Sequence, residues 1–317
     1  MALESFTISD AASGARAKIL PGLGFNCYSF EVATPAGPLE MLWSAADFTA
    51  GVGRASGSGI PLMFPFAGRI RGASFRFEGK SYALEAGDGL GNAIHGFVID
   101  RPWRVTHQSG HRLVGQFQAS VDDVSLLEHW PVDFRITADY RLEGGVLISE
   151  FFIENPDTKP LPFGFGTHGY FRVPLGGPSA ADCRVRVPVE TQWELAGLLP
   201  TGQKSRPALV AELSRGMPMS ALQLDHVFGG LQFENHRCAT TVYDPHSRRT
   251  LTMTFDDSFT VCVVYNPPHR EAVCIEPCTT IPDPFSLREK GIDPSLQILA
   301  PGQSFRTRIE IRVDSDR

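Results

Sequence analysis

The stretch Phe134-Arg135-Ile136-Thr137-Ala138-Asp139-Tyr140-Arg141-Leu142-Glu143-Gly144-Gly145-Val146, running on to Glu154, decides the fold class. Phe134, Ile136, Ala138, Tyr140 and Leu142 alternate with Arg135, Thr137, Asp139 and Arg141, so apolar residues recur with period two. Successive side chains of an extended strand point to opposite faces, and this alternation therefore builds a strand with one buried face. Glu143-Gly144-Gly145 supplies a turn, and Val146 to Glu154 returns as a second strand. The segment is a hairpin.

The same pattern recurs on both sides of it. Ser74 to Phe77, the turn Glu78-Gly79-Lys80 and Ser81 to Leu84 make a second hairpin. Arg101 to Gln108, Ser109-Gly110 and His111 to Ala119 make a third. Leu251, Met253 and Phe255 alternate with threonines, and Phe305, Thr307, Ile309, Ile311 and Val313 alternate with polar residues to the end of the chain. No amphipathic helix of three turns is expected; the best short candidate is Val121 to Trp130. Glycines and prolines punctuate strands rather than forming linkers. Many hairpins without helices predict an all-β antiparallel sandwich or barrel. So large a sheet assembly needs its faces and edges covered, which predicts a single domain over residues 1–317.

The net charge is −6 and no dense Lys/Arg cluster occurs, which argues against nucleic acid or an anionic membrane as partner. The start Met-Ala-Leu-Glu-Ser-Phe-Thr has neither a basic nor a long apolar run, so no signal peptide is expected. No window approaches the roughly 18 apolar residues of a membrane span. Cys27, Cys183, Cys238, Cys262, Cys274 and Cys278 are scattered, and Cys274-x-x-x-Cys278 has no second pair at zinc-finger spacing. Reduced thiols in a cytoplasmic protein are expected.

Chemistry concentrates in five segments. In Pro162-Phe163-Gly164-Phe165-Gly166-Thr167-His168-Gly169-Tyr170-Phe171, one histidine sits among glycines and aromatics. That suits a proton carrier in a flat-walled pocket for a sugar ring, or a hydrogen-bonded core histidine in a tight turn. Pro61 to Ile70 is apolar and Pro-rich and includes Arg69, a surface charge or a planar fork for a sugar's oxygens. Asn92-Ala93-Ile94-His95-Gly96-Phe97 holds another His-Gly; Leu224-Asp225-His226-Val227-Phe228 places an acid among apolar residues. In Val273-Cys274-Ile275-Glu276-Pro277-Cys278 a glutamate ends an apolar strand, where an unpartnered carboxylate is seldom found.

Together these segments resemble the aldose 1-epimerase (galactose mutarotase) family, from about Pro61 to the C-terminus. The family's arginine before the first hairpin matches Arg69, and its His-Gly matches His95-Gly96. Its Asn-His-Ser-Tyr-Phe-Asn motif is similar to Thr167 to Arg172, and its Asp-His-x-Phe to Asp225-His226-Val227-Phe228. Glu276-Pro277 with Pro282-Asp283, and Leu299-Ala300-Pro301-Gly302 before the last strand, complete the order. Thr167, Gly169 and Arg172 depart from the family pattern, and Gly51 to Gly59 is shorter and richer in glycine.

The resemblance implies a large antiparallel β-supersandwich binding a hexopyranose in an open groove. It implies Glu276 as general base, His168 as general acid, and Arg69, His95 and Asp225 as the residues holding the sugar. No metal, nucleotide or other cofactor is needed, and the expected partner is a small-molecule sugar, in a monomer or homodimer. Reference pKa values of about 4.3 and 6.5 predict a charged glutamate and partly protonated histidine at pH 6 to 7, the imidazolium favoured by a nearby carboxylate. The pair is expected to face each other across a sugar-sized hollow.

Three neighbouring readings stay open. Epimerisation of a hexose 6-phosphate needs a second cation near Arg69, for which Arg54, Arg71 and Arg172 are candidates. A non-catalytic sugar sensor needs no proton donor opposite an acceptor. A glycoside hydrolase needs two carboxylates, which Glu276 and Asp225 could be. Lesser features are read as structural: His107-x-x-x-His111 as solvated, Asp256-Asp257 as a turn, Gly51 to Gly59 as a flexible loop. Trp103, Trp130 and Trp193 are read as core.

Overall fold

The computed structural model describes residues 3–315. Two large antiparallel sheets dominate it. One has nine strands in the order Arg104–Gln108, Arg112–Gln118, Arg135–Glu143, Val146–Glu154, Ser304–Ser315, Arg249–Asp256, Arg237–Asp244, Arg184–Arg186, Met217–Pro218. The 134–154 hairpin lies inside it, closed by Gly144 and Gly145 at φ 59° and 79°. Both turn residues are left-handed, the twist that matches paired strands and that glycine adopts freely. The hairpins at 74–83 and 104–118 form as read, with boundaries shifted by a few residues.

The second sheet has eight strands. Its main path is Leu199–Ser205, Thr191–Ala196, Asp225–Gly229, Val261–Tyr265, Ala272–Cys278, Gly166–Thr167, Leu62–Met63, and Gly169–Arg172 also pairs with Ala272–Cys278. Inward faces of both sheets share one core. Ile136, Ala138, Tyr140, Phe151, Leu251, Met253 and Ile311 come from the nine-stranded sheet, and Phe171, Phe228, Val264, Val273 and Ile275 from the other. Each of the larger side chains contributes roughly 1.5–3 kcal/mol by leaving water. The fold is all-β and antiparallel, a supersandwich as expected.

Three features differ from the sequence reading. The strands Phe6–Ser9, Arg16–Leu20, Asn26–Thr34 and Gly37–Glu40 form a four-stranded sheet ahead of the segments that carried the resemblance. The 121–130 candidate is one α-turn, Ala119–Asp122, then a 3-10 turn, Val124–Glu128, because Asp123 takes φ −157° and its carboxylate accepts from Ser125 N. Two further helices form at Ala208–Arg215 and Pro284–Glu289. Among the described residues no helix is long and apolar enough to cross a membrane.

Candidate active site

The outward face of the eight-stranded sheet carries the chemistry, and strand register places it there. Val263 pairs with Glu276 and with Val227. Gly166 pairs with Cys278 and Gly169 with Ile275, so the same register sets His168 opposite Glu276. Val227, Val263, Glu276 and His168 therefore form one row across four strands, on one face because paired residues share it. The neighbouring row is Asp225, Tyr265, Cys274 and Tyr170. His168 and Glu276, distant along the chain, thus become cross-strand neighbours.

His168 Nε2 lies 3.3 Å from Glu276 Oε1, with the two residues 7% and 3% exposed. This corrects the expectation of a hollow between them: the pair touches, and a substrate has to lie over it. The His168 ring stacks on Tyr170, centroids 4.9 Å apart, and meets Tyr265 edge-on at 6.3 Å. Among the described residues its Nδ1 has no hydrogen-bond partner.

Two loops complete the rim. Arg69 pairs with Ile94, which brings Arg69 beside His95. His95 and Gly96 take φ 66° and 76°, and a Cβ on Gly96 would lie 2.1 Å from Phe64 O. Glycine is required there, and the turn it permits sets the His95 ring edge-on to His168, centroids 5.3 Å apart. Arg69, His95, Asp225 and Tyr265 are each partly exposed, around the buried pair. The structure thus brings together all five residues singled out in the sequence.

The protonation pattern differs from the sequence reading. Burial drives His168 down to about 4, with the Arg69 charge lowering it further against a backbone hydrogen bond. Burial also pushes Glu276 well above the usual carboxylate range, reinforced by Asp225 and opposed by Arg69. His95 is held well below ordinary imidazole by burial and by the charges of His168, Arg69 and Arg54. Desolvation outweighs the attraction expected to favour imidazolium. Both shifts disfavour the charged forms, so burial weighs against an ion pair between the two side chains.

The remaining candidates separate cleanly. Trp103, Trp130 and Trp193 are buried, 5%, 1% and 3% exposed. Arg71 is engaged by Asp283, and Arg172 donates to Leu42 O. Asp256 accepts from Ser258, Thr307 and Arg308 as a structural cap. The loop read as flexible, Gly51 to Gly59, follows one 3-10 turn, Phe48–Ala50, contains another, Ala55–Gly57, and closes on buried Ser58 and Gly59, where a Cβ would meet Asn26 Oδ1 at 2.3 Å. Among the described residues no group of three His, Cys, Asp or Glu could hold a metal ion. All six cysteines are buried and free.

Sequence reading missed Trp43, Asp88 and Tyr265. Trp43 stacks on His269 at 4.1 Å, donates to Glu271 and stands beside Tyr170, extending an aromatic wall from His168. Tyr265 was hidden because only strand pairing sets it opposite Asp225. Asp88 sits in Gly87-Asp88-Gly89-Leu90-Gly91, which reads as an ordinary turn.

The antiparallel supersandwich has relatives among solved structures. A galactose mutarotase-like protein from Clostridium acetobutylicum superposes with TM-score 0.85 at 19% identity, covering 99% of each chain. The GalM/aldose epimerase homologue from C. elegans superposes at 0.80, with 19% identity and 99% coverage of each. By sequence, the Escherichia coli (strain K12) protein YphB is 23% identical over 311 residues, 92% of this chain and 98% of that one. The family model described as aldose 1-epimerase matches residues 6–312. The chain belongs to the aldose 1-epimerase family, a family of isomerases.

Proposed function

We propose that the protein interconverts the α and β anomers of a free hexopyranose by general acid/base ring opening and closure. The observation that carries this reading is the His168–Glu276 contact at 3.3 Å on the floor of a polar rim. Mutarotation needs one group to remove the O1 proton while another protonates the ring oxygen. As carboxylate, Glu276 takes the O1 proton; the C1–O5 bond breaks as C1=O forms; His168, as imidazolium, gives its proton to O5. Rotation about C1–C2 and the reverse transfers close the other anomer, and the pair ends with its single proton. A proton shift within the 3.3 Å contact interconverts the ionic and the neutral form, and burial favours the neutral one. Sugar hydroxyls that donate to the carboxylate lower the cost of that shift.

Arg69, His95 and Asp225 hold the sugar's oxygens, and Tyr170 and Tyr265 wall the site. Positioned proton transfer supplies on the order of 10² to 10⁴ in rate, with orientation and the Arg69 charge supplying more. Polarimetry of freshly dissolved α-D-glucose and α-D-galactose tests the reading. Decay faster than the spontaneous rate, lost in His168→Ala, is expected; saturable binding without faster decay overturns it in favour of a sensor.

One observation favours a phosphorylated substrate as second reading. Arg54 is exposed, donates to Gly87 O at 3.1 Å, and among the described residues has no carboxylate within ion-pair distance. Its charge is felt at both His95 and Tyr265. Arg71 is paired with Asp283, while Arg54 and Arg172 each donate to a backbone carbonyl; of these two, Arg54 is the one whose charge is felt at His95 and Tyr265. A kcat/KM at least tenfold higher for glucose 6-phosphate than for glucose, lost in Arg54→Ala, would select that reading.

A further inference from the structure

Arg69 does not reach the site unaided. Its Nε donates to Asp88 Oδ2 at 3.1 Å, and the Asp88 side chain is fully buried while that of Arg69 is 19% exposed. The two carboxylate oxygens of Asp88 have separate tasks. Oδ1 accepts from Leu90 N at 2.7 Å and Asn92 N at 2.9 Å, which shapes the loop. Oδ2 accepts from Arg69 Nε and from Asn92 Nδ2 at 2.8 Å. Asn92 Oδ1 in turn accepts from Gly72 N at 3.0 Å, tying the loop to the segment after Arg69. Burial would raise the Asp88 carboxyl, but these donors hold it down to about 2, so it is ionised throughout the working range.

A bond at Nε fixes the plane of a guanidinium and leaves both terminal nitrogens for another oxygen. The backbone is gripped as well, since Asp283 N donates to Arg69 O at 2.7 Å. Arg69 lowers the proton affinity of His95, His168 and Glu276 alike. Arg54 adds positive charge at His95, and Asp225 adds negative charge at Glu276 from the far side. Tyr170, Tyr265, Cys274 and Cys278 also face the pair, and burial keeps them neutral.

We infer that Asp88 is a positioning residue: it aims the Arg69 guanidinium at the substrate's oxygens and offsets part of its charge at the His168–Glu276 pair. The inference rests on the anomerisation reading for its substrate. Its test does not.

Asp88→Asn is the informative variant. An amide oxygen in the Oδ1 place still accepts from Leu90 and Asn92, so the loop keeps its turn while the ion pair is lost. KM for α-D-glucose is expected to rise about ten- to a hundredfold, with kcat changing less, because a misaimed binding group costs on that order. NMR titration of the histidine rings is expected to show His95 and His168 protonating at lower pH, since the Arg69 charge is no longer offset. Asn92→Ala is the companion: it cuts two loop contacts but leaves the Asp88 charge, so it should lower Tm with the histidine midpoints unmoved. Unmoved or raised midpoints in Asp88→Asn, or an equal shift in Asn92→Ala, overturn the inference. Failure of the native protein to speed anomerisation would instead sink the functional reading, and the ring titrations would still judge Asp88.

Discussion

Glu150 and Glu276 are both buried, 4% and 3% exposed, yet their surroundings treat a negative charge in opposite ways. Glu150 lies on the outward face of the nine-stranded sheet, where Arg141, Arg306 and Arg308 donate to its two oxygens at 2.9–3.3 Å. Burial would raise its pKa, but the arginines hold it down to about 2. Glu276 has apolar Val263 on one side and one imidazole nitrogen on the other, and burial pushes it up. Burial raises both, and the donors around Glu150 reverse the shift while Glu276 lacks them. A carboxylate saturated with donors holds strands together; one left short of them has its proton affinity raised.

Exchanging glutamate for glutamine at each position should therefore give opposite phenotypes. Glu276→Gln is expected to lower the anomerisation rate by about 10² to 10⁴, the worth of a positioned proton carrier, with unchanged or higher Tm. Glu150→Gln should leave that rate alone. Its effect falls on stability, since the arginines lose their counter-charge. Breaking a buried pair costs about 3–5 kcal/mol, but Arg306 is mostly exposed and Arg308 about a third exposed. Solvent screening brings the expected loss in urea unfolding to about 2 kcal/mol. If both variants lose activity equally, or stability equally, the contrast between the two faces is wrong.

The pH dependence of stability sharpens the contrast, because the two glutamates tilt it in opposite directions. Glu150 titrates near 2 in the folded chain and near 4.3 when unfolded, so its stabilisation is present above about pH 5 and lost as pH falls toward 2. Glu276 moves the other way: its proton affinity is raised in the folded chain, so its contribution is present below about pH 4.3 and is lost as pH rises through the folded midpoint. His168, lowered to about 4, contributes above about pH 6.5 and loses that contribution as pH falls toward 4. Chemical unfolding from pH 2.5 to 9 should show Glu150→Gln flattening the acid limb and Glu276→Gln the alkaline limb. An alkaline limb unaffected by Glu276→Gln would mean the pair is ionic at rest.

How much of this could be read beforehand divides along the same physical line. Period-two alternation is a local property, so the 134–154 hairpin and the all-β class were legible. Arg69, His95, His168, Asp225 and Glu276 were legible as polar residues in apolar or glycine-rich settings. Their contact was not, since it depends on a register between strands far apart in the chain. The direction of the two pKa shifts was hidden for a related reason: burial is a property of the assembled sheets. Asp88 looked like a turn aspartate, which half of its carboxylate is. Ala208–Arg215, at eight residues, is too short to impose a helical period on its surroundings.

The smallest expected effect isolates the second cause of the Glu276 shift. Burial comes first and the Asp225 charge follows, so Asp225→Asn removes the lesser contribution while keeping an oxygen that can hold a sugar hydroxyl. Glu276 should titrate at lower pH than in the native chain but still above an ordinary carboxyl, because burial is untouched. In the pH–rate profile the alkaline midpoint should move down by less than one unit, a change worth under about 1.4 kcal/mol. KM should rise a few-fold. A midpoint that stays fixed would mean that burial and the missing donors alone set the proton affinity of Glu276. Asp225 would then serve the sugar and not the pair.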